Sequence, residues 1–119
     1  MGQSRIIQYK DVNSIDRGDG VMDAEIVGAG AGATRLSSGI VTYPPGTTVP
    51  LHIHNAEESA IVIEGEAICE VDGESHNLTT YDGVFIAPGG RHHFINKGKR
   101  PVKILWSYAT INVARTYVE

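Results

Sequence analysis

In the stretch "PLHIHNAEES", residues 50–59, His52 and His54 stand one residue apart and are followed by Glu57 and Glu58; a second histidine pair, His92 and His93, lies in "APGGRHHFIN". Imidazole nitrogens and carboxylate oxygens are ligands for divalent transition metals, so the chemistry depends on whether the chain brings them to one point. In a strand, residues two apart share a face and sit roughly 6.6 Å apart, a gap that two imidazoles close onto one ion about 2.1 Å from each nitrogen. His52 and His54 meet that condition. A third nitrogen from 92 or 93 and an oxygen from 57 or 58 would make a set suited to Mn, Fe, Co or Ni in six-coordination with two open positions, or to Zn with fewer ligands.

The elements that must position these residues read as strands. Helical periodicity is absent, whereas short β-rich runs broken by Gly, Pro, Asn and Asp recur about every eight to twelve residues. Strands are expected at 24–27, 34–43, 49–53, 59–64, 66–71, 75–79, 84–87, 91–96 and 102–109, with a further extended piece at 111–118. The turns between them, "YPPG", "HNAE", "EGE", "VDGE", "YDG", "APGG" and "NKGKRP", favour antiparallel neighbours and an all-β sandwich or barrel. "VGAGAGA" satisfies G-x-G-x-x-A at Gly28, Gly30 and Ala33, but the strand-like "TRLSSGIVTY" after it leaves no helix to hold a pyrophosphate. It reads as a glycine-rich connection.

A chain of 119 residues is most economically one domain over 1–119. Its net charge of −4 provides no basic surface for phosphates, and the basic "NKGKRP" is broken by Gly98 and stopped by Pro101, so no nucleic-acid partner is expected. Cys69 is the one cysteine, which rules out an internal disulfide and makes it a core thiol in "AICEV". The start, "MGQSRIIQYK", lacks the apolar stretch of a signal peptide, and nowhere do about eighteen apolar residues run together. A cytoplasmic protein without membrane attachment is the expectation.

Gly46, five residues, His52, one, His54, three, Glu58, six and Gly65 reproduce the first signature of the cupin superfamily; Gly89, two residues, His92, three and Asn96 reproduce the end of the second. The resemblance, to small single-domain cupins of the cupin 2 type, covers about 36–106, with strand extensions at either end. It implies a jelly-roll β-barrel (double-stranded β-helix) and places His52, His54, Glu58 and His92 at the family's metal-ligand positions. The second signature usually opens with Gly and carries Pro ahead of the x-Gly; here Tyr81 and Ala87 hold those places, with Gly83 and Pro88 displaced. His76 is expected at the surface, and His93 on the strand face opposite His92.

If His52 and His54 point inward, alternation turns Leu51, Ile53, Ile61, Ile63 and Ile95 outward together on one sheet face, and points Ala60, Val62 and Phe94 inward. A homodimer, or the chain's own terminal segments, is expected to cover the outer face. Tyr43, Tyr81, Trp106 and Tyr108 are candidates for an aromatic wall; Arg35 and Arg91 are the cations nearest in sequence to the site strands. A metal-dependent enzyme for a small oxygen-chelating substrate is the expectation, and Glu58 as base and Tyr81 as proton donor are the hypotheses for its proton transfers. Dioxygenase-type oxidoreductase chemistry is the expected reaction, with isomerase, cyclase or decarboxylase chemistry on the same site, or non-catalytic binding of a sugar or small carboxylate, as the alternatives.

Overall fold

The computed structural model describes residues 2–118, so the two ends of the expected 1–119 domain lie outside it. Eleven strands follow in chain order: β1 (Ile15–Asp16), β2 (Met22–Val27), β3 (Ser37–Tyr43), β4 (His52–His54), β5 (Glu58–Glu64), β6 (Ala67–Val71), β7 (Glu74–Leu78), β8 (Gly83–Ile86), β9 (His92–Ile95), β10 (Val102–Tyr108) and β11 (Arg115–Tyr117). They form two antiparallel sheets, one ordered β1-β2-β3-β10-β5-β8 and the other β11-β4-β9-β6-β7. The chain is therefore all-β, a two-sheet double-stranded β-helix, and no helix among the described residues is long and apolar enough to cross a membrane.

Alternation writes the core. In β3 and β10 every second residue is buried, and β4, β5 and β9 repeat the rhythm, so that Ala60, Val62, Phe94, Ile104 and Trp106 fill the space between the sheets. Cys69 is buried in the same core, where desolvation, then the charges of Glu58 and Glu70, push its thiol up to about 11 and leave it an inert filler.

Several boundaries differ from the sequence expectation. The strand expected at 49–53 runs instead over His52–His54, because Pro50 has no N–H to give to a ladder. The long piece at 111–118 keeps only three paired residues, Arg115–Tyr117, and the short β1 had no sequence signal. The glycine-rich connection holds a single 3-10 turn at Ala29–Ala31 and leads straight into β3. Contrary to expectation, the outward residues do not share one face. Ile53 and Ile95 belong to the five-stranded sheet, with Leu51 just ahead of β4, and Ile61 and Ile63 belong to the six-stranded one. Parity gives a side chain's face but is blind to which sheet carries the strand.

Candidate metal centre

His52, His54 and His92 come together because β4 and β9 are neighbours, with His52 directly opposite His92. All three are buried, each offers a ring nitrogen within 4.8 Å of the others, and their ring centroids stand 4.4 to 5.1 Å apart. Glu58 arrives from the other sheet. It opens β5, and its Oε1 lies 3.2 Å from His92 Nε2 and 3.8 Å from His54 Nε2. His93 points away, its ring held by the Val49 carbonyl at 2.8 Å and by Glu70 at 2.5 Å; His76 is exposed beside Glu74. Glu57 is exposed as well.

The hydrogen bonds fix which nitrogens are available. His52 Nδ1 lies 2.8 Å from the Pro50 carbonyl, and His92 Nδ1 lies 2.9 Å from that of Gly90. A carbonyl only accepts, so each Nδ1 carries the proton and donates it, leaving the Nε2 lone pair of both rings for a ligand in the centre. Burial, ahead of the Pro50 bond that opposes it, brings the His52 pKa down to about 4. Burial, then the neighbouring His52, brings His54 down to about 3. These imidazoles are neutral at physiological pH, as metal ligands must be.

Two buried atoms lack hydrogen-bond partners here: Glu58 Oε1 and His54 Nδ1. A carboxylate that is 5 % exposed and has an unpaired oxygen is costly, and a divalent cation among the three imidazoles is the partner that would offset it. The donor set therefore fits a transition metal.

The centre opens into a small cavity of about 40 Å³ walled by Tyr43, Phe94, Ile104, Trp106 and Tyr108. Tyr108 ends β10 directly opposite Glu58, and its hydroxyl lies 3.1 Å from His54 Nε2. Desolvation, then the Glu58 charge, raises the Tyr108 pKa and keeps the phenol protonated; burial, then Asp23, does the same to Tyr43. The Trp106 indole N–H donates to Asp23 Oδ1 at 2.7 Å, and Arg17 holds the other oxygen at 3.1 Å.

Tyr81, the expected proton donor, is not in this cavity. It is 81 % exposed on the turn between β7 and β8, where Thr79 and Asp82 close a tight loop that turns the ring outward. Arg35 and Arg91 are also exposed and line no part of the cavity. The cationic wall comes instead from Arg17 and Arg115, which the sequence reading passed over. Arg115 and Tyr117 pair with His54 and His52, so the R-x-Y alternation of β11 carried the signal that both face inward.

The remaining motif residues shape turns. Asn96 is buried, donates through Nδ2 to the carbonyls of Tyr43 and Arg100 at 2.9 and 2.8 Å, and accepts from Gly98 N–H at 3.0 Å. Gly89, at φ +79, donates its N–H to the His54 carbonyl at 2.9 Å and so ties the loop before β9 to β4.

The sequence matches the cupin domain family over residues 39–108. It is 30% identical over 105 residues to Protein SchB of Streptomyces halstedii, covering 87% of this chain and 76% of that one. It is 27% identical over 106 residues to the tetracenomycin polyketide synthase protein TcmJ of Streptomyces glaucescens, covering 88% and 71%. A solved oxalate oxidase, in complex with the substrate analogue glycolate, superposes with a TM-score of 0.65 at 27% identity over 70% of this chain; that match spans 46% of the oxidase, so this chain corresponds to about half of it. With the family model matched from β3 through β10 and three histidines gathered between the sheets, the chain belongs to the cupin family.

Proposed function

We propose that this chain is a metal-dependent enzyme acting on a small, oxygen-chelating substrate, with His52, His54, Glu58 and His92 as the residues that would hold the ion. The observation that carries this reading is the meeting of three buried imidazoles, His52 and His54 held neutral by burial, around a buried carboxylate oxygen with no other partner. A divalent ion there supplies Lewis acidity, or one-electron redox chemistry where the metal is iron or manganese. The protein does the rest. Phe94, Ile104 and Trp106 exclude water and hold the carbon frame, and the protonated Tyr108 hydroxyl takes the donor role once expected of Tyr81.

Between reaction types, likeness to TcmJ extends over 88% of the chain and likeness to oxalate oxidase over 70%. We therefore place carbonyl chemistry without net oxidation, the cyclisation or isomerisation of a polyketone-type substrate, ahead of the dioxygenase-type oxidation expected from the sequence. Oxidation is the second reading, favoured by the oxalate oxidase match. Incubating the metal-loaded chain with 1,3-diketones, catechols and small keto acids in an oxygen electrode tests both. Loss of a diketone beyond one equivalent with no oxygen uptake supports the first; oxygen consumed in step with substrate supports the second. No turnover of any member would leave a binding module.

A further inference from the structure

The strand β11 is the edge of the five-stranded sheet and runs antiparallel to β4, with Arg115 opposite His54 and Tyr117 opposite His52. Directly paired residues of an antiparallel ladder point to the same face, so the guanidinium enters the side of the sheet that carries the histidines. Arg115 lines both the cavity beside the histidines and a wider one that shares Arg17, Asp23, Trp106 and Tyr108 with it. Its Nε is buried with no hydrogen-bond partner, and no ion pair to it is formed among the described residues. The cavity's other arginine differs. Arg17 is matched by Asp23, whose second oxygen is taken by Trp106, so that charge is neutralised within the fold.

A buried guanidinium N–H without an acceptor costs free energy that a ligand oxygen restores. The planar fork of Arg fits a carboxylate through two parallel hydrogen bonds; the Tyr108 oxygen already accepts one from the guanidinium, and the buried Nε is the donor still without an acceptor. Glu58 does not neutralise it, since Glu58 lies against His92 and His54. We infer that the substrate is a small organic carboxylate, its charged end held by Arg115 while its other oxygens face the centre formed by the three histidines and Glu58. This rests on the metal-dependent reading above for the second half of the contact and stands alone for the first. Because β11 and β4 are adjacent strands, about 4.8 Å apart, the carboxylate and the chelating oxygens of one substrate are separated by only a few bonds.

Benzoate and benzamide share a shape and differ in charge, and calorimetric titration of both into the full chain, metal-free and loaded with Co²⁺, provides the test. The wild type is expected to bind benzoate about tenfold or more tightly than benzamide. Arg115→Gln is expected to reduce that ratio to within about twofold, with Arg115→Lys restoring part of it and Co²⁺ affinity the same in all three. A wild type without the preference, or an Arg115→Gln chain that keeps it, overturns the inference. If the wild type takes up no Co²⁺ yet the metal-free chain shows an Arg115-dependent preference, the metal reading falls and the carboxylate site stands; Co²⁺ binding with no preference gives the reverse.

Discussion

The Nε2 atom of His54 has one lone pair, which the Tyr108 hydroxyl engages and which the proposed metal ion would claim instead. Occupation by a metal would free the phenol to face a substrate. At this scale the adjacent pairs are the sharpest test: His92→Ala and Glu58→Ala should weaken metal binding by more than the 10 to 100-fold typical of outer-shell losses, while His93→Ala and Glu57→Ala should leave it within a fewfold. Titrating Co²⁺ into each apoprotein measures this, and equal binding by His92→Ala and wild type would remove the centre. The same rings set a pH window. His52 at about 4 and His54 at about 3 lie below the roughly 6.5 of a free imidazole, so as pH falls the unfolded chain takes up protons first. Their neutrality costs nothing above pH 6.5 and costs the apoprotein stability increasingly as the pH drops towards 4, at up to about 1.4 kcal/mol per pH unit for each ring. Urea titrations of apoprotein between pH 7 and 4.5 should show a shallower decline for His54→Gln than for wild type; parallel curves would contradict the depressed pKa. It also follows that acid displaces a bound metal below the roughly pH 6 that unperturbed histidines would set.

The elements explain which residues the sequence revealed. The histidine cluster was legible because its spacing lies within one or two strands: His52 and His54 alternate along β4, and a fixed turn sets the step from Gly89 to His92. Tyr108 and Arg115 were not, because their place depends on which strands pair, β10 with β5 and β11 with β4, across some fifty or sixty residues that no local motif spans. The choice of Tyr81 as a donor went wrong for a related reason. Its position is where the family pattern carries glycine, and its backbone sits at φ +76, in the left-handed region that side chains avoid. The substitution kept the turn and cost strain, so Tyr81→Gly should stabilise the fold by up to about 1 kcal/mol after the glycine's greater unfolded entropy is subtracted. A rise in the thermal midpoint with unchanged metal affinity would fit; a fall would mean the ring makes contacts that outweigh the strain.

For the whole molecule, the outer face of the six-stranded sheet is the feature still needing a cover. Leu105 pairs with both Ile40 and Ile61, Ile63 continues the row, and all four are half-buried beside Phe85, which is 65 % exposed. The N-terminal segment meets this face where Tyr9 borders Ile40 and Ile63. We expect a homodimer through the remainder, at about 25 cal/mol gained per Å² of apolar surface covered. Light scattering after size exclusion should give twice the chain mass, and Ile63→Lys should shift it to monomer or aggregate; a wild type that stays monomeric at tens of micromolar would sink the idea. The sequence grouped Leu51, Ile53 and Ile95 with this face, but they look out from the other sheet, since alternation cannot distinguish two layers. One further property follows from the division of the proposed ligands, three on one layer and Glu58 on the other. Mechanically, an ion there is a rivet through a two-ply material: sliding one ply over the other must break a coordination bond at that end. Loading with metal should therefore slow amide hydrogen exchange on both plies around 52–58, 92 and 108 together, while the turn at 65–66, at the end of β5 opposite Glu58 and beyond the Ile68–Ile95 pair, exchanges at its former rate.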